Sequence, residues 1–278
     1  MNLMTTPSLR LHDDIDIPRL GFGVSQVPPG ETQAVVELAL EAGYRHIDTA
    51  AAYGNEEGVG AALASSGLSR DEYFVTSKLW SPQPDPNATV AAFEAGLERL
   101  GLDHVDLFLL HWPVTAGDGP VETWRTLEEI RREESARTIG VSNFRVEDLE
   151  LLERETETRP TVNQVELHPR LQQAELRAWH AERGIVTEAW SPLAKGRFLE
   201  DETIVRIAQR HAKTPAQAIL RWHLQLGNVV IPKSATPERI RENADVFDFE
   251  LSGEEMAAIA GLDRGSGVET ARPVIVAP

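Results

Sequence analysis

A chain of 278 residues with no cysteine and a formal net charge of -17 can bury a large core unaided, and it excludes a disulfide framework, a thiolate nucleophile and a cysteine metal site. Its acids run along the chain, as at Glu128-Glu129, 153–157 and Glu254-Glu255, which reads as a solvated helix surface that repels nucleic acid and anionic membranes. No basic-then-apolar leader opens the sequence and no apolar run nears the roughly 18 residues of a membrane span, so a cytoplasmic monomer is expected.

In chain order, residues 9–11 and 15–17 flank His12-Asp13-Asp14 as an expected hairpin. Eight apolar runs follow, around 19–24, 45–48, 73–78, 105–110, 137–141, 161–166, 185–190 and 228–232. Bounded by turn residues and alternating with helical periodicity, they read as buried parallel strands of βα units. A helix is expected over 31–42, with Val35, Leu38, Ala39 and Ala42 on one face and Gly43 as its stop. Another is expected over 87–100, opened by Asn87 and stopped at Gly101. Two helical stretches follow the seventh strand, 202–211 and 215–226, the second opened by Thr214-Pro215. The eightfold alternation favours an α/β fold of the closed (β/α)8 TIM barrel type, typically about 250 residues, over an open doubly wound sheet. With the hairpin and extra helices added, and no Gly-, Ser- or Pro-rich linker, the expectation is one domain over 1–278. The dinucleotide fingerprint G-x-G-x-x-G is missing, because Gln26 stands where a third glycine should follow Gly21 and Gly23.

Four residues fall at or just after strand ends: Asp48, Tyr53, Lys78 and His111. Lysine is scarce here; of 27 Lys and Arg residues only Lys78, Lys195, Lys213 and Lys233 are lysines, so a lysine at a strand end points to a needed point charge or titratable amine. Lys78 beside Tyr53 is expected to lower the phenol below its ordinary value near 10, with Asp48 holding the lysine charged and aimed. His111 can donate to a substrate oxygen and orient it. Together they form a proton donor for a carbonyl becoming an alcohol. After the eighth strand, Lys233-Ser234 lead into Thr236-Pro237-Glu238-Arg239, a helix start that directs free N–H groups outward, as phosphate sites in barrels do. Two cations there suit the extra ribose phosphate of NADPH. Trp190 offers a face for a nicotinamide, and Ser142, Asn143 and Gln164 offer groups for its carboxamide. Phe22, Trp80 and Trp112 with Ser25 are read as the substrate wall, and no metal set is expected.

The stretches Gly43-Tyr44-Arg45-His46-Ile47-Asp48-Thr49-Ala50, Tyr53-Gly54-Asn55-Glu56, Ser77-Lys78-Leu79-Trp80, Leu110-His111-Trp112-Pro113, Ile139 to Phe144, Asn163 to Pro169 and Ile231-Pro232-Lys233-Ser234 together resemble the aldo-keto reductases over nearly the whole chain. The resemblance is strongest to the bacterial branch containing 2,5-diketo-D-gluconate reductases. It implies a catalytic tetrad at Asp48, Tyr53, Lys78 and His111. It further implies cofactor contacts at Ser142, Asn143, Gln164, Trp190, Ser191 and Leu193, with adenosine-phosphate contacts at Lys233, Ser234, Arg239 and Asn243. NADPH-dependent reduction of small dicarbonyls or keto-sugar acids is the expected activity. Three positions depart from the pattern: Ser25 replaces a bulky residue and opens the pocket, Ser135-Ala136 replaces a Gly-Lys pair, and the tail 265–278 is short. Two other functions remain open at this stage, a non-catalytic NADPH-binding barrel and a Schiff-base aldolase using Lys78.

Overall fold

The computed structural model describes residues 6–80, 85–113 and 120–267. β1 (Ser8–Arg10) and β2 (Asp16–Pro18) form an antiparallel hairpin in which Leu9 faces Ile17. The barrel strands are β3 (Phe22–Gly23), β4 (His46–Asp48), β5 (Phe74–Leu79), β6 (Val105–Leu110), β7 (Ala136–Ser142), β8 (Val162–Glu166), β9 (Val186–Trp190) and β10 (Val229–Ile231). All neighbours run parallel in sequence order. A parallel bridge between Leu20 and Val230 closes the ring, with Gly21 N–H donating to Val230 O at 2.9 Å and Gly23 N–H to Pro232 O at 3.0 Å. This is the expected (β/α)8 barrel with an N-terminal hairpin.

The first strand is shorter than expected, and its glycines face inward. A Cβ at Gly21 would run into Ile231 and the His46 ring, and one at Gly23 would lie 2.9 Å from Ile231 Cγ2. Their absence lets β3 close against β10. It also turns Phe22 outward, where its ring meets Tyr44 edge-on at 5.3 Å and joins the layer between sheet and helices. Phe22 is therefore a core residue, and the expectation that it lines the substrate pocket is corrected.

Helices α1 (Pro29–Glu41), α2 (Glu56–Ser65), α3 (Pro86–Leu100), α4 (Val121–Arg132), α5 (Val146–Glu155) and α6 (Ala174–Glu182) each follow a strand. α3 starts at Pro86, with Asp85 Oδ1 accepting from Ala88 N–H at 2.9 Å. A cap followed by an N1 proline outcompetes the expected start at Asn87. Two helices separate β9 from β10, α7 (Glu202–Arg210) and α8 (Pro215–Gln225), the second with the expected Thr214 cap, and α9 (Pro237–Ala244) and α10 (Gly253–Ala260) follow β10. The hairpin and the lower strand residues form a dry floor in which Leu11 and Ile17 pack with Phe74, Leu107, Val162, Val186 and Val229.

Not all the acids read as solvated surface are so. Glu128 is buried, accepting from Thr158 N–H at 2.6 Å and Thr158 Oγ1 at 2.8 Å. Glu255 is buried too, capping α10 at Ser252 N–H and bonding His211 Nε2 at 3.0 Å. These two carboxyl groups brace helix and loop junctions.

Candidate active site

Strand ends gather the four expected groups. Asp48 ends β4; the short 3₁₀ helix Ala51–Tyr53, ended by Gly54 at φ +64, places the Tyr53 ring beside Lys78 and His111. Lys78 is the penultimate residue of β5, and His111 directly follows β6. Lys78 is fully buried, with Nζ donating to Asp48 Oδ1 at 2.7 Å and to Thr49 O at 2.8 Å. The same ammonium lies 5.2 Å from the centre of the Tyr53 ring, whose edge meets His111 at 5.8 Å between centroids.

The electrostatics depart from expectation at Tyr53. Burial, which disfavours a phenolate, raises the phenol above its ordinary 10.0 and outweighs the pull of Lys78 and hydrogen bonding with Lys78 and Ser25. The lysine moderates the shift without reversing it, so Tyr53 holds its proton at neutral pH. For Lys78 the balance is opposite. Burial disfavours its charge, yet Asp48 and its other neighbours more than compensate, and the ammonium sits above its usual value. Burial, reinforced by Lys78, holds His111 well below 6.5, so its imidazole is neutral.

A second ring supports the tetrad, and sequence reading missed most of it. Gln164 Nε2 donates to Asp48 Oδ2 and to Glu188 Oε2, both at 2.8 Å. Thr49 Oγ1 donates to Asn55 Oδ1 at 3.0 Å, and Asn55 Nδ2 donates to Val24 O at 2.9 Å, tying the Tyr53 turn to the loop after β3. Glu56 accepts from Ser77 Oγ at 2.6 Å and from Arg99 Nε at 2.8 Å. An acid inside the apolar run 185–190 was the one available signal for Glu188. Burial and neighbouring Asp48 push its carboxyl up to about 8.

Ser142, Asn143, Gln164 and Trp190 converge beside the tetrad. Asn143, at φ +63, donates through Nδ2 to His111 O at 3.1 Å and Ser142 Oγ at 3.0 Å. Its Oδ1 accepts from Trp190 Nε1 at 3.0 Å, so the indole is tethered by its edge. Ser191, at φ +49, and Leu193 lie partly exposed in the turn after β9. Beyond β10, Lys233 is exposed and Ser234 is buried, its Oγ accepting from Thr236 N–H at 3.2 Å. Thr236 makes no side-chain cap, leaving the first N–H groups of α9 without a side-chain acceptor, and Arg239 and Asn243 lie one turn apart on that helix. Among the described residues, no ion pair holds Lys233 or Arg239. Two unspent cations, an uncapped helix start and the orphaned buried His111 Nδ1 fit a phosphate-bearing nucleotide laid across the strand ends.

At the mouth, Trp80 is 41% exposed and meets His111 edge-on at 5.2 Å, Trp112 stacks near His111 at 6.4 Å, and Ser25 is exposed. Residues 268–278, most of the tail singled out in the sequence, lie outside the described residues. Among the described residues no three His, Asp or Glu side chains converge as a metal set.

The model of the Aldo/keto reductase family matches residues 19–264. An "Aldo-keto reductase" of Mycobacterium sp. (strain KMS) is 52% identical over 263 residues, covering 95% of both chains. "Methylglyoxal reductase DkgA" of Yersinia pestis is 51% identical over 261 residues, covering 93% of this chain and 94% of its own. Among solved structures, a Bombyx mori aldo-keto reductase in complex with NADP superposes with a TM-score of 0.90 at 35% identity, covering 96% of this chain and 95% of its own. With a matching family model over most of its length and relatives at half identity, this chain belongs to the aldo/keto reductase family.

Proposed function

We propose that this chain, as one barrel domain, reduces aldehydes and ketones to alcohols with NADPH, Tyr53 serving as general acid. When bound, NADPH supplies the hydride that reaches the carbonyl carbon. The chain's own residues do the rest. Lys233, Ser234, Arg239 and Asn243 would hold the adenosine ribose phosphate, and Ser191 and Leu193 would flank the cofactor after β9. Ser142, Asn143 and Gln164 would hold the carboxamide against Trp190. Neutral His111 donates to the carbonyl oxygen and aims it at Tyr53, which gives up its phenolic proton as the oxygen gains charge. Lys78, kept charged by Asp48, steadies the phenolate left behind.

The observation that carries this reading is the buried Lys78 ammonium, bonded to Asp48 and Thr49 and 5.2 Å from the Tyr53 ring. It gives no support to a Schiff-base role, because an amine held charged is not a nucleophile. Small dicarbonyls such as methylglyoxal and keto-sugar acids such as 2,5-diketo-D-gluconate are the substrates favoured by an aromatic mouth opened on one side by Ser25, and the name of the Yersinia pestis relative points the same way. NADPH consumption across a panel of aldehydes, dicarbonyls, keto-sugar acids and steroid ketones tests this. Highest kcat/KM for a small dicarbonyl or keto acid is expected; no turnover of any carbonyl would remove the reading, and preference for a steroid would remove its substrate class.

A further inference from the structure

Interior layers of a parallel barrel are ordinarily filled by branched aliphatic side chains. Between the apolar floor and the strand-end tetrad, this barrel instead buries His46, Thr76, Gln164 and Glu188. Gln164 and Glu188 are register partners on β8 and β9. A side-chain amide nitrogen has two hydrogens, and those of Gln164 go to Asp48 Oδ2 and Glu188 Oε2. Both are spent, so Gln164 can meet a ligand only as an acceptor, through Oε1.

The pairing is compatible with low charge. Two ionised carboxylates on one NH2 group would repel each other, but Asp48 is neutralised by Lys78 at 2.7 Å, and Glu188 is relaxed as the neutral acid. Facing Glu188 are Asp48, Lys78 and the His46 ring, whose Nε2 is 3.8 Å from Oε1. Being fully buried, Glu188 acts through Gln164.

We propose that Glu188 is a positioning residue for the nicotinamide: by taking the second amide hydrogen of Gln164, it fixes that side chain as a pure acceptor for the carboxamide NH2 of the cofactor. The inference rests on Gln164 being a carboxamide contact, as proposed above. It explains why an acid is kept inside the barrel at a position where an aliphatic side chain would pack.

Binding of NADP+ and of its acetylpyridine analogue, in which a methyl ketone replaces the carboxamide, can be followed by tryptophan fluorescence in the wild type, Glu188→Met and Glu188→Gln. Glu188→Met is expected to weaken NADP+ by about three- to tenfold, the scale of one hydrogen bond, and to leave the analogue within about twofold. Glu188→Gln, whose Oε1 still accepts from Gln164, should keep the wild-type preference. If the Met variant does not fold, Glu188→Ser, whose hydroxyl stops short of the carboxyl position, is read the same way. Equal weakening of both ligands, no change in either, or loss of preference in the Gln variant overturns the inference alone. A wild type that binds neither nucleotide overturns the cofactor reading and this inference with it.

Discussion

Replacing Lys78 with Met separates what the buried ion pair does for the fold from what it does for the chemistry. The Lys78 and Asp48 side chains are 0% and 5% exposed, so removing the cation strands a carboxylate whose other partner is the Gln164 amide. Breaking a buried pair from one side costs about 3–5 kcal/mol. For a chain of this size, at about 2–4 °C per kcal/mol, the melting temperature should fall by about 6–20 °C. Turnover should fall by about 10²- to 10⁴-fold, since the phenol loses the charge that steadies its conjugate base. The double variant Asp48→Asn with Lys78→Met removes the stranded charge and should regain most of the lost melting temperature without regaining turnover. Calorimetry and steady-state NADPH oxidation on the same preparations decide the matter. A single variant as stable as the wild type would show that the pair does not brace the fold, and a double variant that recovers its rate would show that the phenol does not need the ammonium.

Other consequences can be checked independently. Arg239→Ala should weaken NADPH by about tenfold or more and NADH hardly at all, since a charge-assisted contact is worth roughly 1.5–3 kcal/mol and acts on the extra phosphate; equal weakening in titrations of both would place the phosphate elsewhere. Phe22→Ala should cost about 3–5 kcal/mol of stability with KM unchanged, as expected of a core aromatic, whereas Trp80→Ala should raise KM with little change in melting temperature. The rate of carbonyl reduction should be flat from about pH 6 to about pH 7, carry at most a shallow change near 8, where Glu188 behind Gln164 ionises, and fall steeply only above about pH 10. His111, held well below 6.5, stays neutral across that window, and Tyr53, held above 10.0, loses its proton only as pH climbs through its raised value. A pH-rate profile with a descending limb near 6.5 would contradict the direction given for His111.

The barrel and the tetrad were legible because both follow from where apolar runs stop. Eight runs of the right spacing dictate a closed parallel sheet, and polar residues just past Ile47, Ser77 and Leu110 must then share one edge. What failed depended on which way a side chain turns or how deeply it sits. Phe22 was assigned to the pocket because alternation in a short strand fixes no face until the glycines on either side meet Ile231 and His46. The direction of the Tyr53 shift was misjudged because spacing reveals a neighbouring lysine but not the burial that outweighs it. The start of α3 turns on Asp85-Pro86, a cap and N1 proline that compete with the cap at Asn87 two residues on. Glu188 went unread although an acid within an apolar run was there to be seen, and its partner, Gln164, follows only from the register of β8 against β9.

Whether Tyr53 supplies the proton is read from the Tyr53→Phe variant. Removing one hydroxyl leaves the ring, Lys78, Asp48 and the cofactor groups in place. With NADPH affinity measured on the same protein, kcat for a reducible dicarbonyl should drop by about 10²- to 10⁴-fold while the nucleotide dissociation constant stays nearly unchanged. A variant that turns over at close to the wild-type rate would mean that the proton comes from another group.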